Sequence, residues 1–213
     1  MCGRYYTNDG TDEAIERLVT EISENYARQA AGDVHPMDRA AVIVNGKRDP
    51  DALRLETMTW GFPGAELRGD TDDRRSGGLL INARAETALN KPSFTESILE
   101  RRAVMPAAGF YEWDREKEKV TFTVEDRPIF YLAGFYREFE GQNRFIILTT
   151  EANASMRKVH DRMPVIFTED EARVWVRSEE KTEERIGKIR YMIERNGPEL
   201  TAHKKYEQFT LFG

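Results

Sequence analysis

The sequence predicts a single α+β domain with a mostly antiparallel, twisted or barrel-like β core flanked by helices. Three observations lead to this fold class. Strand-like segments outnumber helical ones, and four of them follow one another without an intervening helix, which argues against a doubly wound sheet. No internal repeat or long linker divides the chain. Its 213 residues fit one large domain, so we expect residues 1–213 to fold as a unit.

The amino-terminal half contains three predicted strands and one helix. "CGRYYT" is the first strand, and "TDEAIERLVTEISENYARQAAG" has helical apolar spacing, with Thr11 as a possible N-cap and Gly32 as its end. "AAVIVNGKR" is a strand followed by a turn at Asn45-Gly46, and "LRLETMTWGF" is a partly buried strand that ends near Trp60. The polar, glycine-rich stretch 63–78 is predicted to be a surface loop.

The carboxyl-terminal half is predicted to be richer in strands. "LLINARAET" begins extended, and "SFTESILERR" is a helix capped by Ser93. Four strands are predicted at "AVMPAAGFYEW", "VTFTV", "IFYLAGFYREF" and "RFIILTT". "ANASMRKVH" is predicted as a short helix, "MPVIF" as a strand, and 181–195 as an amphipathic helix, whereas acidic segments such as "TEDEA" are interpreted as solvated.

Composition and charge restrict the function classes. The net charge of -6 and the pI near 5.3 argue against a general nucleic-acid coat, but they allow a local basic groove. No apolar run approaches the roughly 18 residues of a membrane span, and no signal peptide is visible. One cysteine excludes an internal disulfide and a cysteine-rich metal site. We therefore expect a cytoplasmic, monomeric protein without a membrane, metal or organic cofactor.

That cysteine is Cys2, at a position where chain ends normally fray. Aminopeptidases remove an initiator methionine when the second side chain is small, so the mature chain would begin with Cys2. An α-amine of pKa about 7.7–8.0 and a thiol of pKa about 8.5 would then stand on adjacent carbons. Such a 1,2-aminothiol condenses with an aldehyde to an imine, and the thiol then closes a thiazolidine ring.

Other polar residues could assist this chemistry. Glu112 interrupts the aromatic run "GFYEWD", where a carboxylate is costly unless it is paired or functional, although strand alternation could also point it outward. His160 lies among basic residues and could be structural or could transfer protons. Asn82, Arg84 and Glu86 would share one face of an extended segment, either as a surface ladder or as the polar wall of a groove.

These segments together resemble the SRAP (SOS response-associated peptidase) family, whose members shield abasic sites in single-stranded DNA. The motifs that carry the resemblance, in chain order, are "MCGRY", "WGF", "INARAETALNKPSF", "RRAVMPAAGFYEW" and "LTTEANASMRKVHDRMPVI". The resemblance implies that Cys2 forms a thiazolidine with the ring-opened sugar of an abasic site. Glu112 and His160 would transfer protons, and Asn82 would hold the sugar or the amine.

The resemblance also implies a set of DNA contacts. Arg4, Arg84 and Arg162 would clamp phosphates. Trp60 and Pro36 would stack on or wedge beside bases, and Glu86 would belong to the same groove. Because an abasic site offers no base edge, we expect little sequence preference.

The sequence departs from the family pattern in three places. "WGFPGAELRGD" lacks the second tryptophan that usually follows the tryptophan-glycine motif, Gly32-Asp33 replaces a tyrosine-asparagine pair, and Ala103 replaces a cysteine. Three alternatives stay open: an N-terminal-nucleophile glutamine amidotransferase, a thiol peptidase, and a non-covalent module that binds single-stranded DNA.

Overall fold

The computed structural model describes residues 2–47, 49, 52–64, 78–177 and 182–204. The strands are β1 (Tyr5–Tyr6), β2 (Glu21–Ile22), β3 (Asp33–Val34), β4 (Arg39–Asn45), β5 (Leu53–Trp60), β6 (Phe62–Pro63), β7 (Leu79–Leu80), β8 (Asn82–Arg84), β9 (Arg102–Ala107), β10 (Gly109–Trp113), β11 (Lys119–Val124), β12 (Phe130–Phe139), β13 (Gln142–Glu151), β14 (Arg162–Pro164), β15 (Ile166–Phe167) and β16 (Leu200–Lys204). The helices are α1 (Asp9–Leu18), α2 (Ala85–Ala88), α3 (Pro92–Glu100), α4 (Glu169–Val176) and α5 (Glu183–Glu194).

Five strands close into a barrel. β5, β4, β9, β12 and β13 follow one another through antiparallel pairings, and β13 returns to β5 in a short parallel pairing at Arg144↔Thr59 and Phe145↔Trp60. β2, β8, β14 and β15 extend the same sheet. The predicted α+β class with a mostly antiparallel, barrel-like core is therefore confirmed.

The two faces of the barrel wall carry two separate hydrophobic clusters. Along β4, Ile43 packs in a cluster that contains residues of α1, α3, α4 and α5, so the helices cover this face of the wall. Val42 and Val44 point to the opposite face and pack in the second cluster. That cluster continues from the barrel into a neighbouring sheet and includes both Cys2 and Trp60. The single thiol is thus part of a core rather than of a frayed end.

The neighbouring sheet holds the amino terminus in place. Its five strands run in the order β16-β11-β10-β1-β3, and all four pairings are antiparallel. Alternation along β10 buries Phe110 and Glu112 on the inner face and leaves Trp113 on the outer one. β1 pairs with β10 on one side and with β3 on the other, so the segment after Cys2 is an internal strand.

The first helix is shorter than predicted. Its N-cap is Asn8 rather than Thr11: the Asn8 backbone N–H donates to Thr11 Oγ1 at 3.0 Å, as in a capping box. The helix ends at Leu18 rather than near Gly32, because the chain turns extended and β2 then pairs in parallel with β5. Tertiary pairing with β5 outweighs the helical apolar spacing of this segment.

Three further elements differ from the prediction. α3 begins at Pro92 with Lys91 as its N-cap instead of Ser93, as suits a proline in the first helical turn. "ANASMRKVH" forms turns rather than a helix, because Asn153 Oδ1 accepts hydrogen bonds from the backbone and hydroxyl of Ser155. The segment interpreted as solvated around "TEDEA" starts α4, whose Trp175 is buried.

Two regions complete the comparison with the sequence. β16 is an edge strand in a segment for which the sequence predicts no strand, and it pairs with β11 along five residues. Of the predicted loop 63–78, Pro63 belongs to β6, and Gly64 N–H donates to the carbonyl of Gly78 at 3.1 Å. Residues 65–77 lie outside the described residues.

None of the helices in the described ranges combines the length and apolar character that crossing a membrane requires.

Candidate active site

Cys2 lies directly before β1, and its side chain is completely buried. Its Sγ is 4.0 Å from the backbone oxygen of Arg4. Burial raises the pKa of the Cys2 thiol far above its usual value, and the negative charge of Glu112 raises this pKa further. The sulfur therefore keeps its proton at neutral pH, and a base must accept that proton before the sulfur can attack.

Asn82 joins the start of β8 to the segment that carries Cys2. Its Nδ2 donates a hydrogen bond to the backbone oxygen of Cys2 at 2.9 Å, and the side chain is more than nine-tenths buried. Its Oδ1 is buried and accepts no hydrogen bond from the residues that the structure describes. One end of the amide thus fixes Cys2, while the other end can accept an N–H or O–H from a bound group.

Glu112 lies on the inner face of β10, so the inward alternative for this carboxylate is the correct one. It is buried, and its charge acts on the thiol of Cys2. The outer face of the same strand carries the aromatic rings of Tyr111 and Trp113. The structure thus brings Cys2, Asn82 and Glu112 together: Asn82 binds the backbone of Cys2, and the charge of Glu112 acts on its thiol.

His160 ends the turn that precedes β14. Its Nδ1 accepts the backbone N–H of Arg162 at 2.9 Å and also lies 3.0 Å from Oδ1 of Asp161. Nδ1 cannot accept a hydrogen bond from the Arg162 backbone and donate one to Asp161 at the same time. The neutral ring with its proton on Nε2 satisfies the backbone N–H, which is fixed, whereas the Asp161 side chain is exposed.

Arg162 and Glu86 form an ion pair in place of the predicted DNA contacts. The two guanidinium Nη atoms of Arg162 each lie 2.9 Å from a carboxylate oxygen of Glu86, and Nη2 also donates to the carbonyl of Thr149 at 2.5 Å. Glu86 lies in α2, because the chain leaves the extended conformation after Arg84. The prediction that Glu86 shares a strand face with Asn82 is therefore wrong. Arg162 is engaged with protein acceptors, so its predicted phosphate contact does not fit this structure.

Arg84 is the exposed member of β8 and lies two residues beyond Asn82, about 7 Å along the strand. It pairs in parallel with Thr149, whose carbonyl accepts from Arg162. β8 thus connects the residues around Cys2 to the group formed by His160, Glu86 and Arg162. The side chain of Arg84 is exposed, and its contact with a phosphate stays a prediction.

Trp60 has a different role from the one predicted. Its side chain is 0% exposed, and its indole N–H donates to the carbonyl of Ile81 at 2.9 Å. Its ring stacks on Phe145 with centroids 6.1 Å apart and tilts against Tyr5 at 5.5 Å. Because protein rings cover it, Trp60 cannot stack on a base in this structure, and it belongs to the core. Pro36 is half-buried on the loop after β3.

An exposed cluster on the outer face of the five-stranded sheet contains residues that the sequence reasoning did not identify. The guanidinium carbon of Arg4 lies 5.4 Å from the ring centre of Trp113, which is 38% exposed. Nη1 of Arg4 lies 3.6 Å from Oδ2 of Asp33, and Oδ1 of Asp33 accepts from the hydroxyl of Tyr111 at 2.9 Å. Because side chains alternate along the strand "GFYEW", Trp113 lies on the face opposite Glu112. This alternation could have identified Trp113 from the sequence.

In the described part of the chain, no group of three or more histidine, cysteine, aspartate or glutamate side chains has the geometry to hold a metal ion.

Comparisons with known proteins identify the family of this chain. The family model described as SOS response associated peptidase (SRAP) matches residues 1–204. "Abasic site processing protein YoaM" of Bacillus subtilis is 31% identical over 188 residues, which cover 83% of this chain and 79% of that protein. "Abasic site processing protein YedK" of Escherichia coli is 28% identical over 189 residues, covering 84% of this chain and 81% of that protein. "Abasic site processing protein HMCES" of Xenopus tropicalis is 26% identical over 174 residues, covering 66% of this chain and 52% of that protein.

Solved structures show the same fold. A Bordetella bronchiseptica protein superposes with a TM-score of 0.71 at 20% identity, over 95% of this chain and 99% of that one. A Bacteroides thetaiotaomicron protein has a TM-score of 0.69 at 21% identity, over 95% of this chain and 91% of that one. With a family match over nearly the whole length and this agreement in fold, the chain belongs to the SRAP family.

Proposed function

We propose that this protein captures abasic sites in single-stranded DNA by forming a covalent thiazolidine between Cys2 and the ring-opened sugar aldehyde. The observation that carries the proposal is the meeting of Cys2, Asn82 and Glu112 in one buried site. The names of the relatives, which are abasic site processing proteins, support the substrate class. Membership of the SRAP family argues against the glutamine amidotransferase alternative.

The reaction begins once Met1 has been removed and Cys2 carries a free α-amine. The amine attacks the sugar aldehyde, and loss of one water leaves an imine. The thiol sulfur then adds to the imine carbon, and its proton passes to the nitrogen, so the final adduct has lost one water overall. Because burial keeps the thiol protonated, the α-amine, with a reference pKa of about 7.7–8.0, is the better first nucleophile.

Three residues assist these steps. Glu112 has its charge close enough to act on the thiol, so it can accept the sulfur proton as the ring closes. Asn82 fixes the Cys2 carbonyl through Nδ2 and offers Oδ1 to the amine or to a sugar hydroxyl. His160, whose Nδ1 accepts the backbone N–H of Arg162, supplies or accepts the protons of sugar ring opening.

The DNA backbone would follow the exposed cations near this site. Arg84, two residues beyond Asn82 on β8, and Arg4, two residues after Cys2, would contact the phosphates that flank the lesion. Trp113 is exposed and can stack on a neighbouring base, a role that the buried Trp60 cannot perform. Pro36 stays a proposed wedge beside the lesion. We further propose that the protein acts as a monomer and shows little sequence preference.

Intact mass under denaturing conditions tests the proposal. The protein is mixed with a single-stranded oligonucleotide that carries one abasic site. We expect a starting mass without Met1 and an adduct that equals the protein plus the oligonucleotide minus one water. Cys2→Ala should lose the adduct while keeping reversible, salt-dependent binding.

Two outcomes would contradict the proposal. A protein that lacks Met1 and forms no adduct would support a non-covalent binding module. An adduct that persists in Cys2→Ala would show that the thiol is not required, and the linkage would then be an imine at the terminal amine or at another amine.

A further inference from the structure

We propose that Asp33 is a specificity-determining residue that competes with DNA phosphate for Arg4. This inference rests on the proposed function, because it assumes that Arg4 contacts the DNA backbone. In the absence of DNA, the carboxylate holds the guanidinium on the outer face of the sheet, and a phosphate must displace it. The consequence is weaker reversible binding to single-stranded DNA as a whole, including undamaged DNA.

The carboxylate is held in place by the fold. Asp33 lies on β3, and its Cα is opposite Tyr6, two residues after Arg4 on the adjacent strand. Its Oδ1 accepts the hydroxyl of Tyr111 at 2.9 Å. The Tyr111 ring stacks on Tyr6 with centroids 5.3 Å apart, and the ammonium of Lys119 lies 4.2 Å from its centre. One carboxylate oxygen is therefore fixed, and the other faces Arg4.

The contact with Arg4 is close enough to attract the guanidinium and too long to bind it firmly. The distance of 3.6 Å from Nη1 to Oδ2 exceeds that of a good N–H···O hydrogen bond. The two side chains are 29% and 36% exposed, so solvent and salt screen the pair. The Nε of Arg4 is buried and has no hydrogen-bond partner among the described residues. A phosphate can offer Arg4 short, bidentate hydrogen bonds that Asp33 does not supply.

The competition changes the affinity for DNA and leaves the rate of the covalent step unchanged. Once a phosphate has displaced Asp33, the carboxylate stays beside it and repels it, so the complex dissociates more readily. Asp33 contacts β1 and β10 from the outer face of the sheet, whereas Cys2 is buried in the cluster on the inner face. Neutralising Asp33 should therefore change affinity without changing the rate of covalent capture on saturating DNA.

The test compares Asp33→Asn with Asp38→Asn. The first variant keeps an oxygen that can accept from Tyr111 and removes the charge that faces Arg4. The second removes the same charge from a carboxylate that faces His35 instead, with Oδ2 3.3 Å from Nδ1. Fluorescence anisotropy with an undamaged single-stranded oligonucleotide measures Kd at several salt concentrations, and capture of an abasic oligonucleotide at saturation measures the rate.

We expect Asp33→Asn to lower Kd about two- to fivefold at low salt, the size typical of a partly exposed ion pair, and this gain should shrink as salt increases. Asp38→Asn should change Kd by about 1.5-fold or less, because its carboxylate faces His35 and is exposed to solvent and salt. In an Arg4→Ala background, Asp33→Asn should have no larger effect than Asp38→Asn. Capture rates at saturating DNA should be equal in wild type and Asp33→Asn.

If Asp33→Asn and Asp38→Asn lower Kd equally, the inference is wrong, because the change in net charge alone would then explain the tighter binding. Weaker DNA binding by Asp33→Asn would also overturn it, since Asp33 would then orient Arg4 for phosphate rather than compete. Failure of the proposed function is distinguishable from both results, because in that case wild type itself forms no adduct with the abasic oligonucleotide.

Discussion

Two tryptophans of this chain are predicted to respond in opposite ways to truncation. Trp60 is fully enclosed, stacks on Phe145 and donates its indole N–H to the carbonyl of Ile81. Trp113 is 38% exposed and contacts the guanidinium of Arg4. Replacing each by alanine therefore separates a residue that supports the core from one that is available to DNA.

The cost of Trp60→Ala is that of a large-to-small core substitution, about 3–5 kcal/mol. The lost hydrogen bond adds about 1 kcal/mol or less, because the carbonyl of Ile81 also accepts from the backbone N–H of Ile147 and keeps that partner. For a chain of 213 residues, a change of 1 kcal/mol lowers Tm by about 2–4 °C. The total of about 3–6 kcal/mol therefore predicts that Tm falls by about 6–24 °C.

Trp113→Ala should have the converse effect. Loss of the partly exposed contact with Arg4 costs about 0.5–1 kcal/mol of stability, so Tm should fall by no more than about 4 °C. If a base stacks on this ring, its loss weakens single-stranded DNA binding by about 1–3 kcal/mol, which is about 5- to 150-fold in Kd.

Thermal unfolding followed by circular dichroism and anisotropy with a single-stranded oligonucleotide measure the two effects. Trp60→Phe serves as a milder core control, since it keeps an aromatic ring and should lose less Tm than alanine. Similar losses of Tm for Trp60→Ala and Trp113→Ala would refute the assignment of the two residues. Wild-type affinity in Trp113→Ala would refute the stacking role.

Three further predictions test other contacts of the fold. In Gly109→Ala, the new Cβ would lie 2.3 Å from the ring of Tyr6 on β1, so Tm should fall by several degrees and capture should slow, whereas Gly187→Ala in α5, with open space around it, should keep or raise Tm in the same unfolding assay. Burial raises the pKa of Glu86, but the hydrogen bonds of its arginine partner outweigh this effect and leave that pKa below its ordinary 4.5. The carboxylate thus stabilises the fold above pH 4.5 and loses this contribution as pH falls through the lower folded value, so the Tm difference between wild type and Glu86→Gln should shrink on acidification. The buried thiol of Cys2 should react with iodoacetamide at least about tenfold more slowly in folded protein than in urea-unfolded protein at pH 8, and equal rates by mass spectrometry would contradict its burial.

The sequence predicted most clearly what depends on local pattern. The alternation in "VTFTV" and "IFYLAGFYREF" corresponds to β11 and β12, where buried side chains alternate or run continuously as the strands enter the core. The chemistry of an amino-terminal cysteine follows from its position alone. Asn82 and Glu112 were identified because an amide and a carboxylate are unusual in otherwise apolar strands.

Features that depend on distant partners could not be predicted. The end of α1 depends on the pairing of β2 with β5, and the burial of Trp60 depends on rings from β1 and β13. From the sequence alone, the segment that contains α1 was compatible with a longer helix, and Trp60 was compatible with an exposed position. The contact between Arg4 and Asp33 requires β1 and β3 to be adjacent, which no local pattern shows.

The placement of β1 also has a consequence for the order of events during synthesis. Tyr5 pairs with Phe110, so the first strand of the chain must wait for a partner that the ribosome makes much later. Until then, the amino end stays outside the folded core, where an aminopeptidase can reach it. If Met1 is removed, as the proposed function requires, its removal can therefore precede burial of the Cys2 thiol, which is enclosed once the sheet around it is complete.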